Sequence, residues 1–302
     1  MVKKEVKSDK KLAVTFYSKT KTLCPVCKTE FEKEELLSGG GRLIAGDLTD
    51  ELRRTYEPSA KYGKIYPLIY AVAACPKCHA CMLWNDMENL DDKVVTDYLF
   101  DGMKERKQAV EAVFPHYDFS RNRTLIDGGA AYYHALLGYE KFSAGYSPTI
   151  KKAVISLRLA WICNDIEAVC PNRGYAYMAQ LFYRKSLFFY QESLTLEMNH
   201  TESISNLVNM GPDTDKNYGY DGVIYLCGLL EYKYGQHKDI NLRLKKLAEY
   251  KRAIARSFGL GKSSKNKPGP LLEHSRSLYD LINAEIKEAH NPDINIDDDD
   301  DE

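Results

Sequence analysis

Two Cys-Pro-x-Cys segments, Cys24-Pro25-Val26-Cys27 and Cys75-Pro76-Lys77-Cys78, carry the clearest chemistry in this 302-residue chain. A two-residue spacer lets both sulfurs of a pair reach one ion about 2.3 Å away, and two such pairs complete a tetrahedral shell for Zn²⁺. The spacing therefore designates Cys24, Cys27, Cys75 and Cys78 as zinc ligands. A four-thiolate shell keeps no open coordination position, so it holds structure and does not activate water.

Other chemistries fit part of the pattern. Cys75-Pro76-Lys77-Cys78-His79 matches the C-x-x-C-H of haem attachment, but that reading leaves Cys24 and Cys27 without a role, and no export signal accompanies it. A redox dithiol wants a cysteine of lowered pKa at a helix N-terminus in a βαβ unit, and neither segment has that context. Thiols that bind nothing are the remaining alternative. Within the shell, His79 and Cys81 are rivals, because Cys78-His79-Ala80-Cys81 is a second, overlapping C-x-x-C. Proline after the first cysteine favours Cys75 and Cys78, since it pre-sets the turn that aims backbone N–H groups at sulfur. Cys163, Cys170 and Cys227 lie on or beside apolar helical segments and read as small core residues.

Catalytic constellations are not evident. The chain has no H-E-x-x-H, no G-x-S-x-G and no phosphate-binding glycine loop. His134, beside Tyr133 and Leu137, reads as a packed histidine, and Asp127-Gly128-Gly129 as a turn and helix cap. No enzymatic reaction is read from these residues.

The elements that must position the cysteines follow from pattern. Residues 12–23 read as a strand entering the first knuckle, and Ile65 to Val72 as a strand entering the second. Forty-seven residues separate the knuckles, far more than the roughly 15–20 of compact zinc sites. The insertion must carry structure of its own: a flexible turn at Ser38-Gly39-Gly40-Gly41 and a helical piece near Asp50 to Tyr56. Beyond Leu90 the period becomes helical. Leu99, Met103, Val110 and Phe114 share a stripe, and helices are predicted over 130–142, 149–165, 175–198, 220–234, 239–258 and 271–289. In 149–165, Ile150, Ala153, Val154, Leu157, Ala160 and Trp161 form an apolar face opposite Lys151, Lys152, Ser156 and Arg158. Leu137-Gly138 with Gly145, and Cys227-Gly228 with Gly235, give the small-residue and turn punctuation of tetratricopeptide hairpins. Many of the 22 tyrosines fall on these helices, where a ring can be buried while its hydroxyl reaches water.

The fold class is thus α+β, predominantly α: a disordered N-terminus (1–11), a small zinc ribbon-like module with a long insertion (12–90), an antiparallel helical-hairpin, tetratricopeptide-like domain (91–289), and an acidic disordered tail (290–302). Formal net charge is −1, so no global field points to nucleic acid or membrane. Locally, 233–267 holds eleven Lys/Arg against two acids, whereas Asp297 to Glu302 is six acids in a row. Such a run is ordinarily solvated; the alternative is that it folds back over the basic segment or attracts a basic partner. No run approaches the roughly 18 apolar residues of a membrane span, and Leu12 to Tyr17 is too short for a signal peptide. A cytoplasmic protein is expected, and eight cysteines in a reducing compartment argue for metal binding.

These residues resemble a bacterial family of unknown function, whose members pair an N-terminal C-P-x-C with a later C-P-x-C-G and continue into tetratricopeptide-like helices. The matching stretches are Leu23 to Cys27, Asp50-Glu51-Leu52 with Tyr56, Pro67 to Cys78, and Leu157-Arg158-Leu159-Ala160-Trp161. His79 stands where the family usually has glycine, which would let the knuckle turn at positive φ. The resemblance implies a zinc-binding, helical-repeat architecture and no activity. The expected function is a zinc-stabilised scaffold or adaptor that binds a protein partner through its helices. The alternative is a nucleic-acid-binding module using Arg243, Lys245, Lys246, Lys251 and Arg252 in the basic segment 233–267.

Overall fold

The computed structural model describes residues 17–35, 42–258 and 269–289. The expectations for the N-terminus, the 38–41 turn, most of the 259–270 linker and the acidic tail lie outside those residues. Among the described residues the fold is α+β and predominantly α, with three antiparallel two-stranded hairpins preceding a run of helices. β1 (Tyr17–Leu23) pairs with β2 (Glu30–Glu34), β3 (Ile44–Leu48) with β4 (Arg54–Glu57), and β5 (Val72–Ala74) with β6 (Cys81–Leu83). The first and third hairpins each carry a cysteine knuckle at the tip. The middle one is the insertion.

That middle hairpin corrects the helical piece expected at 50–56. Arg54, Tyr56 and Glu57 pair back onto Leu48, Ala45 and Ile44, and the turn between the strands closes with the Leu52 N–H donating to Thr49 O at 2.9 Å. Leu52 takes φ +59 there and is fully buried, so local strain is offset by side-chain burial. The strand expected over 65–72 is likewise shorter. Pro67 opens a 3₁₀ turn, Pro67–Tyr70, and only Val72–Ala74 is extended.

The helices are α1 (Trp84–Asn89), α2 (Lys93–Asp101), α3 (Met103–Glu111), α4 (Leu125–Gly138), α5 (Pro148–Val169), α6 (Tyr175–Met198), α7 (Gly219–Tyr234), α8 (Ile240–Phe258) and α9 (Gly269–Glu288). The stripe through Leu99 and Met103 is split at Gly102 into α2 and α3. α4 begins five residues earlier than expected, at a capping box in which Thr124 and Asp127 each accept from the other's backbone N–H. Gly128 and Gly129 are inside that helix, not in a turn. A Cβ on Gly128 would stand 2.4 Å from Ile69 Cβ, and one on Gly129 2.4 Å from Phe114 Cε1. They let α4 press onto the 3₁₀ turn and onto the segment after α3.

From α5 onward each helix packs on the next. Of the four residues expected on the polar face of α5, Lys151, Ser156 and Arg158 are buried and Lys152 is half-buried. Lys151 Nζ lies 2.7 Å from Asp86 Oδ1 of α1, and Arg158 Nε donates to Pro212 O at 2.7 Å. The two glycines singled out for the hairpins sit differently. Gly228 lies under α8, where its Cβ would be 3.1 Å from Ile254 Cδ1, whereas Gly138 lies against Leu99 instead of the following helix. One apolar core runs from Cys24 through α4–α7 to Ile282 of α9. Among the described residues no helix is long and apolar enough to cross a membrane.

The tip of the middle hairpin is inserted among α5, α6 and α7. The Glu51 carboxylate accepts from Trp161 Nε1, from Tyr183 Oη at 3.0 Å, from Tyr234 Oη at 3.2 Å and from Lys233 Nζ at 3.3 Å. The Tyr183 and Tyr234 rings stack at 4.1 Å beside it, and Tyr225 Oη donates to Asp50 O at 2.7 Å. Glu51→Ala strands buried donors on three helices. It should lower unfolding free energy by about 2–4 kcal/mol in denaturant titration, and Glu51→Gln by less; equal loss in both variants would count against the carboxylate's role.

Candidate metal centre

The two knuckles have the same backbone. Cys24 N–H donates to Thr29 O at 2.9 Å and Lys28 N–H to Cys24 O at 3.0 Å. In the second, Cys75 N–H donates to Ala80 O and His79 N–H to Cys75 O, both at 3.0 Å. Lys28 and His79, each following the second cysteine, adopt φ +56 and +54. The positive-φ turn inferred for a family glycine is therefore present, occupied by a histidine in one knuckle and a lysine in the other.

This geometry brings Cys24, Cys27, Cys75 and Cys78 together, their sulfurs all within 4.8 Å of one another. The nearest approaches cross between knuckles, Cys24 to Cys78 and Cys27 to Cys75, each at 3.6 Å. A disulfide would need about 2.05 Å. The edge of a tetrahedron with 2.3 Å metal–sulfur bonds is about 3.8 Å, so the four sulfurs fit one small cation. Packed this closely, the thiols titrate against one another. The nearby Cys24 thiol pulls Cys75 well below the ordinary thiol range and drives Cys78 far above it. A bound cation relieves that conflict by favouring all four thiolates.

His79 and Cys81 are not brought into the sulfur group. The His79 ring turns away into an aromatic cluster, 5.4 Å from Tyr117, 5.3 Å from Phe119 and 5.8 Å from His134. Burial pushes its pKa down to about 4. His134 is packed as expected, with Nε2 2.8 Å from Tyr117 Oη and its pKa lowered by burial to about 3. Cys81 is buried in β6, where its thiol donates to His79 O at 3.6 Å, and burial raises its pKa. Cys163 and Cys227 are core residues, but Cys170 is exposed, because it follows α5 at the surface.

Arg123 supports the centre, and nothing local in the sequence marks it. Its Nη1 donates to Ile69 O and Val72 O, both at 2.8 Å, just before the second knuckle, while Nη2 binds Glu34 at the end of β2. One buried guanidinium thus joins the two knuckle-bearing hairpins. Glu34, beside the first knuckle, faces inward and is buried. In the basic segment, Arg243 is also turned inward. It is 2% exposed, bonded to Glu285 through Nε at 2.6 Å and to Tyr232 O at 2.9 Å. Lys251 covers the Tyr279 ring at 5.2 Å, Lys246 lies 3.7 Å from Glu231, and Lys245 and Arg252 face solvent.

Residues 17–282 match a bacterial family described as uncharacterized protein conserved in bacteria (DUF2225). The chain belongs to that family. It is also 39% identical over 275 residues to an uncharacterized protein of Borreliella burgdorferi (strain ATCC 35210 / DSM 4680 / CIP 102532 / B31), covering 91% of this chain and 98% of the relative. No solved structure matches.

The shared positive φ separates two glycine substitutions. Lys28→Gly relieves left-handed strain of about 1 kcal/mol and loses only a partly exposed amine contact to Pro25 O. Its stability should hold or rise. His79→Gly relieves the same strain but removes a ring packed against three others, and should lower the thermal midpoint. Matching midpoints for the two variants would refute this assignment.

Proposed function

We infer that the four-cysteine group is a structural zinc centre, and that the chain is a scaffold whose clamped N-terminal hairpins and helices present a groove to a protein partner. The sulfur spacing supports the metal. The closed thiolate set supports a structural role, since no position is left for substrate or water. Tetrahedral thiolates also suit iron, so the ion itself must be identified by assay.

The partner reading moves away from the helical stack, because Asp50 to Leu52 of the chain itself fills the place where α5, α6 and α7 meet. The observation that carries it is an open groove of about 950 Å³ between the 62–70 segment, the loop before α4 and the end of α5. Tyr62, Tyr66 and Tyr175 line it with Val113, Ile126 and Val169, and among its charged side chains are Lys64 and Arg173 but no carboxylate. An extended peptide with apolar and acidic residues matches that lining: tyrosines supply rigid area, and the cations favour acids. Nucleic-acid binding through the basic segment has lost Arg243 to the interior, and no other observation favours it.

Purified protein should contain about one zinc per chain, and Cys24→Ser or Cys78→Ser should lose the metal and unfold the hairpins, because structural zinc contributes on the order of 10 kcal/mol to folding. A stable, metal-free wild type would overturn the centre. The exposed groove variants Val169→Glu and Arg173→Glu should retain zinc and thermal stability, yet lose a partner that wild type captures reproducibly. Capture unchanged by both variants would remove the groove from the reading.

A further inference from the structure

A second pocket, of about 580 Å³, lies between α6 and the turn from α7 to α8 and shares no lining residue with the tyrosine-lined groove. Arg184, Leu187, Phe188 and Gln191 line it from one face of α6, spread over two helical turns, about 10 Å. The pocket is graded along that length. At one end Tyr183 stacks on Tyr234 at 4.1 Å, which sets Arg184 beside the turn that carries Lys238. Neither cation has a carboxylate within ion-pair distance among the described residues. Leu187 and Phe188, the latter 59% exposed, form the apolar middle. At the other end Gln191 Nε2 donates to Glu231 Oε2 at 2.8 Å and to Tyr250 Oη at 3.1 Å, which leaves the amide oxygen to accept. Lys246 Nζ stands 3.7 Å from the same Glu231 oxygen.

Glu231 is the one carboxylate among the lining residues. It is 1% exposed, and its Oε1 has no hydrogen-bond partner. A buried acceptor left without a donor is costly, so it calls for one from outside the chain. Gly235, in the same wall, keeps the space beside this oxygen clear: a Cβ there would stand 2.4 Å from it. The inner end therefore offers two acceptors, Glu231 Oε1 and the Gln191 amide oxygen, with the Lys246 amine beside them. The outer end offers two uncommitted cations.

We propose that this pocket binds a guanine nucleotide. Guanine presents two adjacent donors, N1–H and the exocyclic amine, next to one acceptor, O6. That is the complement of Glu231, Gln191 and Lys246. Adenine pairs a single exocyclic amine with an acceptor nitrogen, which would set acceptor against acceptor. The base lies on the Phe188 ring, where stacking is available to any purine. The phosphates extend toward the turn and are met by Arg184 and Lys238 in charge-assisted hydrogen bonds. The pocket's volume is ordinary for a ligand of this size.

Titration calorimetry of the full-length chain with guanosine 5′-diphosphate, adenosine 5′-diphosphate, guanosine and inorganic phosphate tests the assignment. The guanine nucleotide should bind once per chain, at least about tenfold more tightly than the adenine nucleotide, because a site built to receive N–H donors rejects an analogue lacking them. Guanosine and phosphate should each bind more weakly than the nucleotide. Raising salt from about 0.05 M to about 0.5 M should weaken the nucleotide and spare guanosine. The exposed charge reversal Lys238→Glu should keep the wild-type thermal midpoint, lose nucleotide affinity several-fold and leave guanosine unchanged. Glu231→Gln should lose affinity for the guanine nucleotide and not for the adenine one. The groove variants Val169→Glu and Arg173→Glu should bind both as wild type does. No saturation by guanosine diphosphate at about 1 mM, equal affinity for the two nucleotides, or binding lost in the groove variants and kept in Lys238→Glu would overturn the proposal.

Discussion

A carboxylate withdrawn from water must be met by donors, and Glu51 is met by four from three different elements. That requirement organises the molecule. The segment between the knuckles leaves the first hairpin, reaches the junction of α5, α6 and α7, and returns to the second. Its tip is held by Glu51 and Leu52, its two bases by the sulfurs. Neither attachment alone closes the path: without the tip the insertion is a long loop, whose ordering costs conformational entropy residue by residue. With both, the described part of the insertion, residues 42–74, is tied at its tip and at the second knuckle, and the hairpin module and helices share one core.

Two buried ion pairs join distant elements. Arg123, in the loop before α4, with Glu34 of β2, and Lys151 of α5 with Asp86 of α1, have side chains less than a tenth exposed. Such pairs add little net stability over well-packed apolar residues, but removing one partner leaves an uncompensated charge. Their effect here is to fix register. Arg123 accepts only an arrangement in which the Ile69 and Val72 carbonyls and the Glu34 carboxylate converge, and that convergence sets the mutual position of the hairpins bearing the two knuckles.

What the sequence disclosed follows from how local each signal is. The C-P-x-C spacing is complete within four residues, so the ligand candidates were legible, and the long amphipathic or apolar runs of α6, α7, α8 and α9 were read to within two residues. The hairpin at 44–57 was not, because Asp50-Glu51-Leu52 resembles a helix start and owes its conformation to tyrosines and a tryptophan more than 100 residues away. Lys151 and Arg158 looked like a solvated face because their partners, Asp86 and the Pro212 carbonyl, are on other elements. Gly128 and Gly129 looked like breakers; their function is close approach, which is visible only once Ile69 and Phe114 are placed against them.

The sulfur cluster and the tyrosine-lined groove are mechanically one object. The groove wall from Tyr62 to Tyr70 is the stretch of chain that enters the second knuckle, and its last turn is held by the same Arg123 that grips Val72, three residues before Cys75. Opposite stands the end of α5, whose buried Trp161 reports to Glu51 at the hairpin tip. Displacing the knuckle would shift the Ile69 carbonyl, and with it Gly128, where α4 has no room to yield. The four sulfurs, whatever holds them together, are therefore tied through Arg123 and the Ile69 carbonyl to the distance between the groove's two walls.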